Sequence, residues 1–272
     1  MRLLFIGDII GRPGRELLRK GLKGLVNHHG VEFVIANAEN SAAGFGVTKD
    51  IGDTLLEYGV DVMTSGNHVW DKKEAMDYIA TERRLLRPAN YPAGAPGRGS
   101  CVVESGDGRP VGIINVMGRV FMTPLDNPFA VVLREIESVR AKARIIIVDF
   151  HAEATSEKVA MGWHLDGKVT LVVGTHTHVQ TSDERLLLNG TAYLTDAGMT
   201  GPHDSIIGME REPALSRFLT GLPSKFEPAT GNPRLNGVIV DADDATGKAI
   251  GVTRISYSER ELLAFASTAS TP

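Results

Sequence analysis

The chain has 272 residues and a formal net charge of −4, and its hydrophobic and charged contents are those of an average globular protein. No run of Lys or Arg is long enough for a footprint on duplex nucleic acid, so we do not expect DNA as a partner. A single cysteine, Cys101, excludes an intramolecular disulfide. No apolar stretch approaches the roughly 20 residues that span a bilayer. We therefore expect a cytoplasmic protein without a membrane partner.

Short apolar runs alternate with helical patterns in the first third of the chain. Their length and lack of polar alternation predict buried strands at residues 3–6, 33–36 and 60–63. Apolar residues at helical spacing, with capping residues before them, predict helices from Pro13 to about His29, from Thr48 to Tyr58, and from an N-cap at Asp71 to Ile79.

After Arg87 a segment rich in Pro, Gly and Asn leads into more closely spaced elements. Strands are predicted at residues 101–104, 111–116, 145–150, 171–173 and 191–194, with a closing pair at 238–241 and 250–255. Helices are predicted at 128–143, 157–163 and 213–219. The final dozen residues are predicted to be loosely ordered. The pattern predicts one α/β domain over residues 1–272, with a second, partly antiparallel sheet packed against the first.

Residues of the types that commonly bind metals follow five of the predicted strands. They are Asp8, Glu39 with Asn40, Asn67 with His68, His151, and His176 with His178. Ligands of open α/β sheets bind at the carboxyl ends of the strands, so we expect these side chains to converge. We also expect an extended segment at 176–178, in which alternate residues would point the same way.

The residue types narrow the metal and the chemistry. Carboxylate, amide and imidazole without thiolate suit Fe or Mn, with Zn as a further candidate. One ion rarely needs so many protein ligands, whereas two ions that share Glu39 as a bridge would use six or seven. Two ions about 3.5–4 Å apart suit displacement at phosphorus, where both entering and leaving oxygens gain charge.

Each of these residues, taken alone, has a simpler interpretation. Asp8 could cap a turn, Glu39 could be an ordinary loop carboxylate, and Asn67 could cap the following helix. His151 could be a hydrogen-bonded core histidine. The arrangement at five successive strand ends favours a metal site over the combination of these separate explanations.

Several motifs resemble those of the calcineurin-like metallophosphoesterases, in the same order along the chain. They are Gly66-Asn67-His68, His151 and Gly174-Thr175-His176-Thr177-His178. Two positions depart from the common pattern, because Ile10 replaces a histidine and Glu39 replaces an aspartate. Further strings resemble one bacterial subgroup associated with hydrolysis of 2′,3′-cyclic nucleotides; they lie at residues 7–11, 67–74, 87–90, 149–158 and 196–202.

The resemblance implies a fold and a ligand set. The fold is an α/β/β/α sandwich of two mixed β-sheets flanked by helices. One ion would be bound by Asp8, Glu39, Asn40 and His178, and the other by Glu39, Asn67, His151 and His176. Glu39 would bridge the ions, and Asn40 would fill the place left by the absent histidine at Ile10.

The implied reaction is hydrolysis of a small anionic phosphodiester, a 2′,3′-cyclic nucleotide, by a metal-bridging hydroxide. His68 is not needed as a ligand and would act as general acid or as a donor to the phosphate. A phosphomonoesterase or nucleotidase with the same site is an alternative, and so is a regulatory nucleotide-binding metalloprotein with slow catalysis. The chain length is compatible with a homo-oligomer, although no interface motif indicates one.

Other residues are candidates for supporting roles. Arg12, Arg119 and Thr200 are candidates for contacts to phosphate or base, although Arg119 could equally form a surface ion pair. Orientation of ligand imidazoles is assigned to Asp149 and Asp196. Trp70 and Phe121 could stack on a base, but aromatic residues more often belong to the core. Glu153 and Glu157 are interpreted as charges at a helix start, and Cys101 as structural.

Overall fold

The computed structural model describes residues 1–268 and contains thirteen strands and seven helices in that range. The strands are β1 (Arg2–Ile6), β2 (Asp8–Ile9), β3 (Phe33–Asn37), β4 (Val62–Thr64), β5 (Ser100–Glu104), β6 (Pro110–Met117), β7 (Ile145–His151), β8 (Leu171–Thr175), β9 (Arg185–Leu186), β10 (Ala192–Leu194), β11 (Met199–Pro202), β12 (Pro233–Ala242) and β13 (Ala249–Ser258). The helices are α1 (Gly11–His29), α2 (Lys49–Glu57), α3 (Ala75–Thr81), α4 (Pro128–Arg140), α5 (Thr155–Leu165), α6 (Arg211–Thr220) and α7 (Glu259–Thr268).

The strands form two mixed sheets. The first has the order β2-β11-β12-β1-β3-β4, with β13 paired to β12. In it β1, β3 and β4 are parallel, whereas β12 runs antiparallel between β1 and β13. The second has the order β5-β6-β7-β8-β10-β9, with four parallel strands between antiparallel edges. The closing hairpin therefore extends the first sheet.

Successive residues of the central strands alternate between two apolar layers. Phe5 of β1 and Ile147 of β7 lie in a core shared by the facing sheets. Leu4 packs outward on the α1 side, and Ile146 packs outward towards α4 and α5. This layering confirms the predicted α/β/β/α sandwich. Because the two sheets share one core, we propose that the chain forms a single domain.

The end of the chain corrects the prediction of a loosely ordered tail. Residues 259–268 form α7, and residues 269–272 lie outside the described part of the chain. Ser258 Oγ accepts from Glu261 N at 3.4 Å, and Glu261 Oε2 accepts from Ser258 N at 2.8 Å, which is a capping box. The helix then buries Leu262 against Gly21 of α1. The Ser-x-x-Glu spacing was the signal in the sequence.

Two other expectations change. Asp71 does not cap a helix, because α3 begins only at Ala75; its carboxylate instead bonds to His68. The third strand begins at Val62 rather than at residue 60. Within residues 1–268, no helix combines the length and apolar character needed to cross a bilayer.

A buried ion pair links α5 to the segment after β10. Lys158 and Asp196 are 2 % and 1 % exposed, and Lys158 Nζ donates to Asp196 Oδ2 at 2.5 Å. A buried charge that loses its partner keeps the full cost of its desolvation. Removal of either member of this pair should therefore destabilise the fold.

We predict that Lys158→Met lowers the free energy of unfolding by about 3–5 kcal/mol, because Asp196 is left as an unpaired buried charge. Urea unfolding followed by circular dichroism measures the change. The control is Lys225→Met, which removes an exposed partner of Glu227 and should leave stability nearly unchanged. Equal midpoints for both variants would contradict the prediction.

Candidate metal centre

The carboxyl ends of five strands meet at one edge of the sandwich, and the predicted ligands lie there. Asp8 lies just beyond β1, Glu39 and Asn40 follow β3, and Asn67 follows β4. From the second sheet, His151 ends β7 while His176 and His178 follow β8. Both sheets thus contribute side chains to one site.

One half of the site is centred on His151. Its Nε2 lies 3.0 Å from Glu39 Oε1 and 2.9 Å from Asn67 Oδ1. The ring of His176 packs edge-on against that of His151, with centroids 4.7 Å apart. Ligand atoms of Glu39, His151 and His176 all lie within 4.8 Å of one another, which is close enough to share a cation.

The other half brings Asp8, Asn40 and His178 to the same edge. His178 Nε2 lies 3.9 Å from Asp8 Oδ1, and His178 Nδ1 lies 2.8 Å from the carbonyl oxygen of Ile207. A carbonyl can only accept a hydrogen bond, so His178 Nδ1 carries the proton and Nε2 is free to bind a metal ion. Asn40 Nδ2 donates to Gly44 O at 3.0 Å, whereas Asn40 Oδ1 has no hydrogen-bond partner.

Three buried oxygens at this edge accept no hydrogen bond: Asp8 Oδ1, Glu39 Oε1 and Asn40 Oδ1. Glu39 Oε1 is close to His151 Nε2, but the ring does not direct a hydrogen bond at it. Unpaired buried oxygens cost free energy unless something satisfies them. A cation would do so, and the oxygen and imidazole donors fit Fe, Mn or Zn.

The electrostatics of the site also fit a cation. Burial raises the pKa of Asp8, so its ionised form is disfavoured without a positive partner. Burial opposes ionisation of Glu39 too, but with no cation bound the positive charge of a protonated His151 outweighs it and lowers the pKa of Glu39 to about 2. Burial and the charge of His151 lower the pKa of His176 to about 3, so this imidazole stays neutral, the form that binds metals.

A hydrogen-bonded chain behind the site sets the orientation of His151. Its Nδ1 lies 2.9 Å from Thr175 Oγ1, and that hydroxyl donates to Asp149 Oδ1 at 2.7 Å. Asp149 also accepts from Thr64 Oγ1 at 2.5 Å, and burial raises its pKa to about 7. Because the Thr175 proton is given to Asp149, Nδ1 of His151 must be the donor and Nε2 faces the site. Asp149 therefore acts on the imidazole only through Thr175, which the sequence did not single out.

The segment 176–178 is not extended, contrary to expectation. His176 and His178 have φ values of 97° and 65°, in the left-handed region that side chains rarely adopt. Their side chains reach different partners, Glu153 for His176 and Asp8 for His178. Asp196 holds the residue between them by accepting from Thr177 N at 3.3 Å and Oγ1 at 2.7 Å. It orients this turn rather than an imidazole ring.

Gly66 is required by the close packing of the ligands. A Cβ atom at this position would lie 2.1 Å from His151 Cδ2 and 2.5 Å from Glu39 Oε2. Both ligand side chains would have to move, so the glycine before Asn67 makes room for the site.

His68 lies beside the ligands and faces the adjacent cleft. Its backbone N donates to Glu39 Oε2 at 3.1 Å, and its Nδ1 donates to Asp71 Oδ2 at 2.8 Å. The ring packs edge-on against Phe45, with centroids 5.1 Å apart. Asp71 thus fixes the ring and leaves Nε2 available, a role that the sequence did not suggest.

The cleft has a volume of about 760 Å³ and reaches from the ligands to α6. Its lining includes residues absent from the sequence-based site. They are Phe45, Ile207, Met209, Arg217, Phe218 and Phe226. Nothing in their local sequence distinguishes them from surface residues, because the contact with the strand ends is formed by distant segments.

The weaker candidates for substrate contact do not line this cleft. Arg12 and Arg119 are exposed but are not among the residues that line the cleft, and Thr200 is buried, where its hydroxyl bonds to the backbone of Asn236. Trp70 packs edge-on against Tyr91 beside the core, as an ordinary core aromatic would. Phe121 is 91 % exposed and does not line the cleft.

The two glutamates after His151 do more than begin a helix. Glu153 precedes α5, lines the cleft, and places Oε2 3.1 Å from His176 Nε2. Glu157 lies in the first turn of α5, as expected, but its carboxylate accepts from Arg119 N at 3.0 Å and Val120 N at 3.3 Å. It therefore anchors the loop after β6.

Comparison with known proteins places the chain in a family. A model of the family described as YmdB-like protein matches residues 4–255. The chain belongs to the YmdB-like family. This is a family of calcineurin-like metallophosphoesterases, which confirms the resemblance found in the motifs and makes the protein a metal-dependent hydrolase of phosphate esters.

Relatives within the family span nearly the whole chain. A Bacillus subtilis protein named 2′,3′-cyclic-nucleotide 2′-phosphodiesterase is 49 % identical and covers 95 % of this chain and 98 % of its own. A putative phosphatase/phosphodiesterase of Mycoplasma pneumoniae is 36 % identical over 95 % of this chain and 94 % of its own.

Solved structures agree with the fold. A hypothetical protein from Thermus thermophilus has a TM-score of 0.88 at 43 % identity, covering 95 % of this chain and 99 % of that one. A novel phosphatase from Mycoplasma pneumoniae has a TM-score of 0.89 at 35 % identity, covering 95 % and 93 %. The sandwich is thus that of metallophosphoesterases.

We predict that Thr175→Val lowers the affinity for Mn²⁺ about 10–100-fold, because valine has the same shape but cannot hold His151 Nδ1. Competition with a chelator measures the affinity. Thr54→Val is the control, since its hydroxyl bonds only within α2. Unchanged affinity in the Thr175 variant would show that the hydrogen-bonded chain does not position the imidazole.

Proposed function

We propose that the protein is a phosphodiesterase that hydrolyses 2′,3′-cyclic nucleotides at a site for two divalent ions. The observation that carries the proposal is the set of unpaired buried oxygens on Asp8, Glu39 and Asn40, next to the imidazoles of two sheets. Ligand atoms of Glu39, His151 and His176 lie within 4.8 Å of one another, whereas Asp8 and His178 are not part of that group, so we assign them to a second cation. The name of the Bacillus subtilis relative supports the choice of diester.

The proposed ligands divide into two groups that share Glu39. One group is Asp8, Glu39, Asn40 and His178, and the other is Glu39, Asn67, His151 and His176. When bound, the two ions supply positive charge for the phosphate oxygens and lower the pKa of water. We propose Fe or Mn as the ions, with Zn as a further candidate, and the cytoplasm as the location.

His68 is the proposed general acid. His68 Nδ1 donates to the Asp71 carboxylate, so in the imidazolium form the opposite nitrogen, Nε2, carries a second proton that it can give to the leaving oxygen. The bond from His68 N to Glu39 fixes the backbone of His68 next to the proposed ligands. Substrate held by the ligands would therefore present its leaving oxygen to a prepositioned donor.

The name of the Mycoplasma pneumoniae relative includes phosphatase, which favours monoester hydrolysis as a second candidate.

We predict that the purified protein with Mn²⁺ hydrolyses 2′,3′-cyclic AMP faster than 3′,5′-cyclic AMP or 3′-AMP. Phosphate and nucleotide release, with metal content measured by mass spectrometry, test this. Preference for the monoester would favour the second candidate, and two bound metals without turnover would favour a regulatory binding protein.

We predict that His68→Ala lowers kcat about 10²–10⁴-fold, because the leaving oxygen loses its proton donor. Metal content should remain near that of the unsubstituted protein, since His68 is not a proposed ligand. His151→Ala is the comparison and should lose metal and activity together. Loss of both metals from the His68 variant would contradict the assigned role.

A further inference from the structure

The cleft beside the metal centre has two chemically different walls. One wall carries the polar side chains Glu39, Asn40, His176 and His178. The other is largely apolar and is formed by Phe45 together with residues of the segment 206–226. A substrate that places phosphate on the first wall must place the rest of its body against the second.

The segment 206–229, which we call the arm, is closed at its base by backbone hydrogen bonds between its two ends. Glu210 N donates to Glu227 O at 2.9 Å, and Ala229 N donates to Gly208 O at 2.9 Å. The carbonyl of Ile207, also at this base, accepts from His178 Nδ1 at 2.8 Å. The arm is thus held in a definite position relative to a proposed metal ligand.

Helix α6 lies on this arm and turns one face towards the cleft. Ala214, Arg217, Phe218 and Gly221 line the cleft, at the spacing that brings residues onto one face. Of the α6 residues, Ala214 alone is buried, and Phe218 is 81 % exposed. A large aromatic ring therefore faces the cleft with most of its surface uncovered.

A second flat surface stands beside Phe218. The guanidinium of Arg217 lies over the ring of Phe226, with Cζ 5.3 Å from the centroid. This cation–π contact restricts the guanidinium in a cleft-lining position. Aromatic rings and guanidinium planes are the surfaces on which proteins stack unpaired bases.

We propose that the apolar wall is the nucleobase subsite, with Phe218 as the residue on which the base stacks. The proposal rests on the proposed function, because it needs the phosphate at the metal centre. It adds that the enzyme selects nucleoside phosphates over diesters without a base. The occupant is the base of the substrate, since the uncovered ring shares one cleft with the ligands and with His68.

The test compares Phe218→Ala with Leu219→Ala on two cyclic diesters. Leu219 is 76 % exposed on the same helix but does not line the cleft, which makes it a matched control. The substrates are 2′,3′-cyclic AMP and the 2,3-cyclic phosphate of methyl riboside, which keeps the reacting ring and lacks the base.

The Phe218 variant should lose about 10–100-fold in kcat/KM for 2′,3′-cyclic AMP, mainly through KM, since stacking on one aromatic ring contributes this much. Its kcat/KM for the methyl riboside diester should be unchanged, as should both values in the Leu219 variant. Phe218→Tyr should retain activity on both substrates. An equal loss on both diesters, or no loss on either, would overturn the proposal.

Calorimetric titration with 3′-AMP separates this proposal from the proposed function. If the unsubstituted protein hydrolyses neither diester, the proposed function fails, and binding alone decides on the subsite. Weaker binding in the Phe218 variant but not in the Leu219 variant would support the subsite. Equal affinity in both variants and the unsubstituted protein would overturn it.

Discussion

Burial of oxygen atoms that have no partner within the protein is the constraint on which the site depends. Asp8, Glu39 and Asn40 each place one such atom at the carboxyl edge of the sandwich. Burying these oxygens without a partner costs free energy. Burial of the apolar core that the two sheets share behind this edge offsets that cost. A bound cation would pair with these oxygens and so stabilise the folded protein. Stability and metal binding are therefore expected to be coupled.

Around this edge, two of the three proposed ligand rings are held by a hydrogen bond that decides which nitrogen faces inward. Thr175 and Asp149 do this for His151, and the carbonyl of Ile207 does it for His178. The buried pair of Lys158 and Asp196 holds the turn between the two later histidines. The left-handed backbone of that turn is unfavourable for histidine, and these contacts are what keep it in place.

In our proposals, reaction chemistry and substrate choice come from different parts of the fold. The proposed ligands lie at strand ends, where strand pairing fixes the backbone. The apolar wall lies on an arm fixed only at its base, with most of α6 uncovered. A division of this kind would let the wall change without altering the metal centre.

The sequence by itself determined the layered α/β fold and the residues that meet at its edge. These follow from local patterns, since a buried strand and the polar residue after it are adjacent in the chain, and parallel strands bring their ends together. A capping box at Ser258 would also have revealed α7. The tertiary structure alone decided the partners of those residues. Thr175 meets Asp149, Asp71 meets His68, and Phe218 meets the cleft through contacts between side chains whose local sequence is ordinary. These contacts form only when the chain is folded. They therefore leave no periodic pattern in the sequence.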